Sequence, residues 1–292
     1  MSAQPPTLAH LLGAWTVDPV LLGVCAAAAA LYVWGMVRSR RRWPAWRLAS
    51  FTCGLLVLAL VLLSGIDRYA EELLSMHVVE HLLLILAAPA LILWGAPVRL
   101  ALSACPPAGR HAIAGLLRGR AVRLLIRPAG GFALFTLVVL GTHMTGVHEA
   151  ALRNQTIHAC EHAACFWSGM LFLAPLLAAD PIPHEPSAIA RFSWLMAAMV
   201  VMSLPAGVFL FDAHVRYPFY LAPARVLHTS ALADQRSAGM LMLVGGGLAM
   251  GALAIVVAMG AMIAEERRQQ RRDAHLHGNG AAAHRAREPA GI

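Results

Sequence analysis

Long apolar stretches separated by short polar segments follow one another along most of this chain. Seven of them are long enough to cross about 30 Å of hydrocarbon as α-helices that rise about 1.5 Å per residue. They cover residues 18–37, 48–66, 73–95, 131–147, 152–177, 191–211 and 237–263. The fourth is short, and an earlier start near Leu124 would lengthen it. The pattern predicts an all-α, polytopic membrane bundle with seven transmembrane helices within residues 1–264.

The composition agrees with a chain that is embedded in lipid. Of its 292 residues, 59% are hydrophobic and 13% are charged, and the mean hydropathy is +0.65. Soluble globular proteins carry about 25% charged residues. This deficit of charge excludes a soluble enzyme, a fibrous protein and a disordered tail protein. The five cysteines are scattered and odd in number, so they predict no disulfide framework.

The basic residues predict how the helices are oriented. All 23 are arginines, and 18 of them fall in segments 38–47, 96–130, 178–191 and the part after residue 264. These segments share one side of the predicted membrane, which places the N-terminus outside and the C-terminus in the cytoplasm. The net charge of +8 therefore reports orientation and not a nucleic-acid partner. We predict a loop after the third helix, no cleavable signal peptide, and a basic, disordered cytoplasmic tail over residues 265–292.

Two of the predicted helices carry the same ionisable motif, His-x-x-Glu-His. The motifs are His77, Glu80 and His81 in the third helix, and His158, Glu161 and His162 in the fifth. Ionisable residues inside the membrane are costly and mark functional sites. Helical spacing places each motif on a stripe about 100° wide. Because both helices run from outside to inside, we expect the stripes to face each other at the same depth, in the outer half of the membrane.

Further polar and sulfur-containing side chains are predicted at this depth. Imidazole suits copper, zinc, iron and nickel, whereas thioether and thiolate ligands select Cu(I). We therefore expect a Cu(I) site in which the four motif histidines face the metal and the two motif glutamates orient the imidazoles. The remaining candidates are His143 and His214 as ligands at the rim, Asp234 and Gln235 as residues that lock the seventh helix, and Met76, Met144 and Cys165 as soft ligands, for which core packing is the more common role.

Three blocks of the chain resemble the CtaG family of cytochrome c oxidase assembly factors. The first, over residues 76–100, has His77, His81, Pro89, Gly95 and Pro97 at the family's spacing. The second, over 142–177, resembles the family's Ala-Leu-x-Asn and H-x-x-E-H, and the third, LADQRSAGMLM, its Asp-Gln-x-x-Ala-Gly. The chain departs from the family at residues 142–145, which read Thr-His-Met-Thr where Trp-His-x-Pro is usual.

The resemblance covers roughly residues 50–263. It implies a multi-pass protein of the cell (inner) membrane that helps to mature the copper centre of a cytochrome c oxidase and is not itself an enzyme. Its implied partners are the oxidase subunits, the lipid bilayer and an extracytoplasmic copper donor.

Two alternatives to a copper carrier remain open from the sequence. A haem protein could use His81 and His162 as opposed axial ligands on parallel helices. A membrane-embedded zinc hydrolase could use H-x-x-E-H, which is also the inverted zinc-protease motif, with the glutamate as general base. The hydrolase gives no reason for the motif to occur twice.

Overall fold

The structure is a computed structural model, and it describes residues 13, 15–39, 42–181 and 185–285. Helices make up 84% of it, and the described residues contain no strand. Within this described part of the chain, six helices are long and apolar enough to cross a membrane, and a bent pair of helices makes a seventh if it counts as one span. The expected all-α membrane bundle is therefore confirmed, with six or seven candidate spans.

The spans are numbered here in chain order, with the bent pair as the fourth. Their bounds are Pro19–Arg38, Ala45–Leu63, Leu74–Ala104, Pro128–Met144 with Val147–Arg153, Gln155–Leu177, Ala188–Phe211 and Ala231–Ile263. The fourth span bends by 67° between its two helices. Its first helix has 17 residues, which reach only about 26 Å along the helix axis. It begins at Pro128 and does not reach back to Leu124, which belongs to a separate short helix.

Two predicted boundaries differ from the structure because polar residues cap helices inside apolar segments. The second span ends at Leu63 and not at residue 66, since the Ser64 hydroxyl accepts a hydrogen bond from the Ile66 N–H and starts the short helix Gly65–Ala70. The seventh span begins at Ala231 and not at residue 237, where the Ser230 hydroxyl accepts from the Ala233 N–H. Its first turns are polar but packed in the bundle, so hydropathy alone does not identify them.

The part of the chain from Pro97 to Leu125, which overlaps the end of the third span, is helical where we predict a loop. It contains the helices Pro97–Ala104, Pro107–Arg118 and Arg120–Leu125. Two of them begin with proline at the first helical position, where the missing N–H costs nothing. At the other end of the chain, the last helix continues to Arg285, into the predicted tail 265–292. Residues 286–292 lie outside the described part.

The third and fifth spans approach each other closely just beyond the two motifs. Residues Leu83–Ala87 of the third span form a π-helical turn that begins two residues after His81, and such turns are frequent at functional sites. A Cβ atom on Gly169 of the fifth span would lie 2.1 Å from the Ile85 carbonyl oxygen in this turn. The absence of a side chain at Gly169 therefore lets the two backbones meet and sets the distance between the motifs.

We expect Gly169→Ala to destabilise the bundle, because the added methyl would overlap with the Ile85 backbone. Overpacking of this kind costs roughly 1–3 kcal/mol. Gly207→Ala is the matched control, since a Cβ atom there has nothing within 4 Å and alanine favours a helix by about 1 kcal/mol over glycine. Thermal unfolding in detergent should give a lower midpoint for the first variant only. Equal midpoints would contradict the close approach.

Candidate metal centre

A group of buried imidazoles and carboxylates lies at one end of the bundle, where the third and fifth spans begin and the first helix of the fourth span ends. None of its members is more than 9% exposed. We call this group the polar cluster; it consists of His77, Glu80, His81, His143, His148, His158, Glu161 and His162. The structure thus brings both His-x-x-Glu-His motifs and two further histidines into one buried region.

The imidazole rings of the polar cluster are in contact across several helices. The ring centre of His77 lies 3.9 Å from that of His81 and 4.0 Å from that of His148. The ring centres of His81 and His143 are 5.2 Å apart, and those of His158 and His162 are 4.1 Å apart. Residues from the third, fourth and fifth spans therefore share one compact volume.

Each motif glutamate faces a histidine of another helix. The Oε2 atom of Glu80 lies 3.2 Å from Nε2 of His162 and 3.5 Å from Nδ1 of His77. The Oε1 atom of Glu161 lies 3.6 Å from Nδ1 of His148. The two motifs therefore do not form two separate sites, one on each helix. Each glutamate lies next to a histidine that a different helix contributes.

Most polar atoms of this region have no hydrogen-bond partner within the protein. Among the described residues, 14 buried side-chain nitrogen and oxygen atoms are unpaired, and 12 of them belong to the polar cluster. They include both oxygens of Glu80 and Glu161 and both ring nitrogens of His77 and His81. Leaving a buried polar group unpaired costs about 1–3 kcal/mol. Bound cations would pair these atoms, so the donor set fits metal ions.

Hydrogen bonds at the edge of the cluster fix which imidazole nitrogens can bind a metal. The Nδ1–H of His143 donates to the Val139 carbonyl oxygen at 2.9 Å, which leaves its Nε2 lone pair free. The Tyr220 hydroxyl donates to the Ala70 carbonyl and accepts from Nε2–H of His148 at 3.1 Å. This leaves the Nδ1 lone pair of His148 directed at Glu161. Such backbone and side-chain partners are typical of metal-binding histidines.

Among the residues that the structure describes, three groups have ligand atoms that lie within 4.8 Å of one another inside each group. The first is His77, His81 and His143, which we call the imidazole triad. The second is His77, His148 and Glu161, which shares His77 with the triad. The third is Asp67, Glu80, His158 and His162, which we call the mixed group. The two expected histidine pairs therefore fall into different ligand groups.

Asp67 brings a second carboxylate into the mixed group from outside the spans. It lies on the short helix Gly65–Ala70 and is half-buried. Burial, together with the negative charge of Glu80, raises the pKa of Asp67 to about 7. Two carboxylates close to each other in a poorly solvated place disfavour ionisation of both unless a cation lies between them.

A small cavity adjoins the imidazole triad on its inner side. Its volume is about 10 Å³, which is room for about one water molecule or ion. Its walls include His81, His143, Cys165, Met202 and Met242. Sulfur-containing and imidazole side chains thus make up half of the residues that line this space, the others being mostly aliphatic, and such donors suit a soft ion such as Cu(I).

The other predicted residues lie around the cluster rather than in it. The side chain of His214 is 93% exposed and faces Asp212 at 3.9 Å, so the structure does not bring it to the ligand groups. Met76 and Met144 are half-buried, and neither lines the small cavity beside the triad. Cys165 is buried and lines the small cavity.

Asp234 and Gln235 connect the seventh span to its neighbours. Asp234 accepts hydrogen bonds from the hydroxyl and the N–H of Ser75, at the start of the third span. The Gln235 side chain accepts from the Arg216 N–H at 2.8 Å and donates to the His214 carbonyl at 3.2 Å. Both residues thereby hold the seventh span and the preceding segment against the end of the bundle that contains the cluster.

Sequence reasoning missed three residues that complete the site. His148 is one of the histidines beyond the fourth span, but only the 67° bend carries it back between His77 and Glu161. Asp67 lies in the turn after the second span, where a charged residue is ordinary. Tyr220 follows no pattern in the sequence. For His148, its position ten residues before a motif that enters the same cluster is the one available signal.

Comparison with known proteins places the chain among membrane assembly factors. A family model described as cytochrome c oxidase caa3 assembly factor matches residues 30–263. Uncharacterized proteins of Mycobacterium bovis and Mycobacterium tuberculosis are each 28% identical to the chain over 282 residues, and one of Mycobacterium leprae is 26% identical. These alignments cover 92% of this chain and 42% of each relative. The chain thus spans less than half of their length. No solved structure matches it.

Proposed function

We propose, from the premise that this chain belongs to the cytochrome c oxidase caa3 assembly factor family, that it holds Cu(I) in the imidazole triad and passes it to an oxidase subunit. The observation that carries the proposal is the triad itself. Three buried histidines each offer a ring nitrogen that is unpaired and within 4.8 Å of the others. An assembly factor that delivers copper as cargo would need a site of this kind.

The surroundings of the triad favour Cu(I) over harder ions. Imidazole binds several transition metals, but thiol and thioether groups select Cu(I). The cavity beside His81 and His143 is also lined by three sulfur-containing residues, Cys165, Met202 and Met242. Three neutral imidazoles around Cu(I) leave one positive charge, and Glu161, which groups with His77, supplies a carboxylate to balance it.

The arginine distribution supports a position of the cluster near the outer face of the cell membrane. The cluster lies at the end of the bundle opposite the segments with most arginines, which we assign to the cytoplasm. A copper donor outside the cytoplasm would reach this end directly. We propose the membrane-embedded part of an oxidase subunit as the acceptor and expect no catalysis by this chain.

The geometry disfavours the two alternatives. A haem between His81 and His162 needs a flat cavity for its macrocycle, whereas the described cavity beside His81 is about 10 Å³. An inverted zinc-protease site needs the glutamate of a motif next to the zinc held by the histidines of that motif. Among the described residues, none of the three ligand groups contains both histidines and the glutamate of one motif. His77 and His81 group with His143, whereas His158 and His162 group with Glu80 of the other helix.

The test is the copper content of the oxidase in cells that lack this chain. The wild-type gene should restore oxidase copper and activity, and a His81→Ala, His143→Ala double variant should not. His111→Ala is the control, since His111 is exposed and lies in the arginine-rich segment 96–130. Equal amounts of each protein in the membrane must be shown by immunoblot. Full oxidase copper with the double variant would refute the proposal.

A further inference from the structure

We propose that the mixed group, Asp67, Glu80, His158 and His162, is a second metal site, which binds a divalent transition-metal ion. This proposal rests on the proposed function in one respect, because it takes Cu(I) to occupy the triad. The argument for the second site comes from the four residues of the mixed group. None of its four residues belongs to the triad, and all four offer a ligand atom within 4.8 Å of the others. The chain would then carry two ions of different charge.

Unpaired buried atoms show that the mixed group lacks a partner within the protein. Glu80 is fully buried, and apart from the neighbouring Asp67 carboxyl neither of its oxygens has a hydrogen-bond partner. The Nε2 atoms of His158 and His162 are also buried and unpaired. A proton shared between His162 and Glu80, whose nearest atoms are 3.2 Å apart, would pair only two of these four atoms. A metal ion with four ligands would pair Glu80 and both imidazoles at once.

Charge balance favours a divalent ion in the mixed group. Its two carboxylates carry two negative charges when ionised, and its imidazoles are neutral. A divalent ion makes the occupied group neutral, whereas Cu(I) would leave one negative charge in a region of low dielectric, where an uncompensated charge is costly. Two carboxylate oxygens and two imidazoles also suit Zn²⁺ and Cu²⁺ better than Cu(I), which prefers soft ligands.

The mixed group is also closer to the surface than the triad. Asp67 lies on the short helix outside the spans and is half-buried. His158 and His162 are 7% and 9% exposed, while the triad histidines are between 1% and 4% exposed. Within reach of solvent, an ion in this group can be loaded and removed without opening the triad. The two sites are adjacent, because Oε2 of Glu80 is 3.5 Å from Nδ1 of His77.

The experiment measures Zn²⁺ binding to the purified full chain in detergent, after anaerobic loading with Cu(I). Zinc is the probe because it has no redox chemistry. We expect about one Zn²⁺ per chain to bind while the Cu(I) stays bound. Asp67→Asn should weaken Zn²⁺ binding at least about 100-fold, since loss of a ligand exceeds the 10–100-fold effect of residues that only orient ligands. It should leave Cu(I) retention unchanged.

Asp212→Asn is the matched control, since Asp212 is a carboxylate at the same end of the bundle that belongs to none of the ligand groups. His158→Ala is the second variant and should reproduce Asp67→Asn. X-ray absorption at the zinc edge of the wild type should show nitrogen and oxygen ligands at about 2.0–2.2 Å and no sulfur.

The outcomes separate this inference from the proposed function. Zinc that displaces Cu(I) one for one, or zinc binding that Asp67→Asn and His158→Ala leave intact, would overturn the second site and leave the Cu(I) site standing. If the wild type binds Zn²⁺ and both variants lose that binding, but the wild type does not retain Cu(I), the second site is supported and the copper proposal is refuted. Sulfur ligands to zinc would also overturn the assignment.

Discussion

Replacing His77 with alanine should cause the largest loss of Cu(I) binding of any single substitution in this chain. Its ring touches those of His81 and His148, and it belongs to two of the three ligand groups. We expect Cu(I) affinity to fall at least about 100-fold, because a ligand is lost and not merely an orienting partner. Competition with a chromophoric Cu(I) chelator, under anaerobic conditions and in detergent, measures the change.

The matched control for this prediction is His214→Ala. His214 lies at the same end of the bundle, but its side chain is 93% exposed and apart from the ligand groups. Thermal unfolding of both variants without metal should show whether either has lost its fold. If His77→Ala folds and competes for Cu(I) as well as the wild type does, the triad is not the copper site.

Glu161→Gln should have the second largest effect, because it removes a charge without changing the shape of the side chain. Glu161 is buried, groups with His77, and faces Nδ1 of His148 at 3.6 Å. With glutamine there, the positive charge of a Cu(I) held by neutral imidazoles is no longer balanced in a region of low dielectric. We expect Cu(I) affinity to fall about 10–100-fold, as for residues that support metal ligands.

Glu149→Gln is the control for the loss of charge. Glu149 is on the same short helix as His148, but it pairs with Arg153 at 2.6 Å near the surface. Exposed pairs of this kind contribute little to stability or to the field at a buried site. The same chelator competition should leave this variant at the wild-type affinity. An equal loss in both variants would mean that Glu161 acts through the general charge of the region and not through the bound ion.

The sequence predicts the core of the site well because helical geometry is local. The spacing of His77 and His81, and of His158 and His162, places each pair on one face of a helix whatever the rest of the fold does. Parallel spans at the same depth then bring the two motifs together. These residues do enter one buried cluster, although the structure assigns the two pairs to different ligand groups.

The remaining residues of the site depend on tertiary structure, which the pattern does not contain. His148 reaches the cluster through a 67° bend, and Asp67 through the short helix that Ser64 caps. His214 points to solvent although it lies close in sequence to the end of the sixth span. Among 13 methionines, sequence reasoning selects Met76 and Met144, whereas the cavity beside the triad is lined by Met202 and Met242. Packing decides these positions.

The most direct test of the copper proposal is metal analysis of the purified chain after anaerobic loading with Cu(I) and removal of unbound metal. We expect the wild type to retain about one Cu(I) more per chain than a His77→Ala, His81→Ala, His143→Ala variant, with imidazole nitrogen ligands in its X-ray absorption and no Soret band. Both proteins keep the tail histidines His275, His277 and His284. Copper bound to these histidines therefore adds equally to both totals and does not change the difference between the two proteins. Equal copper in the two proteins would contradict the proposal that the triad carries the metal.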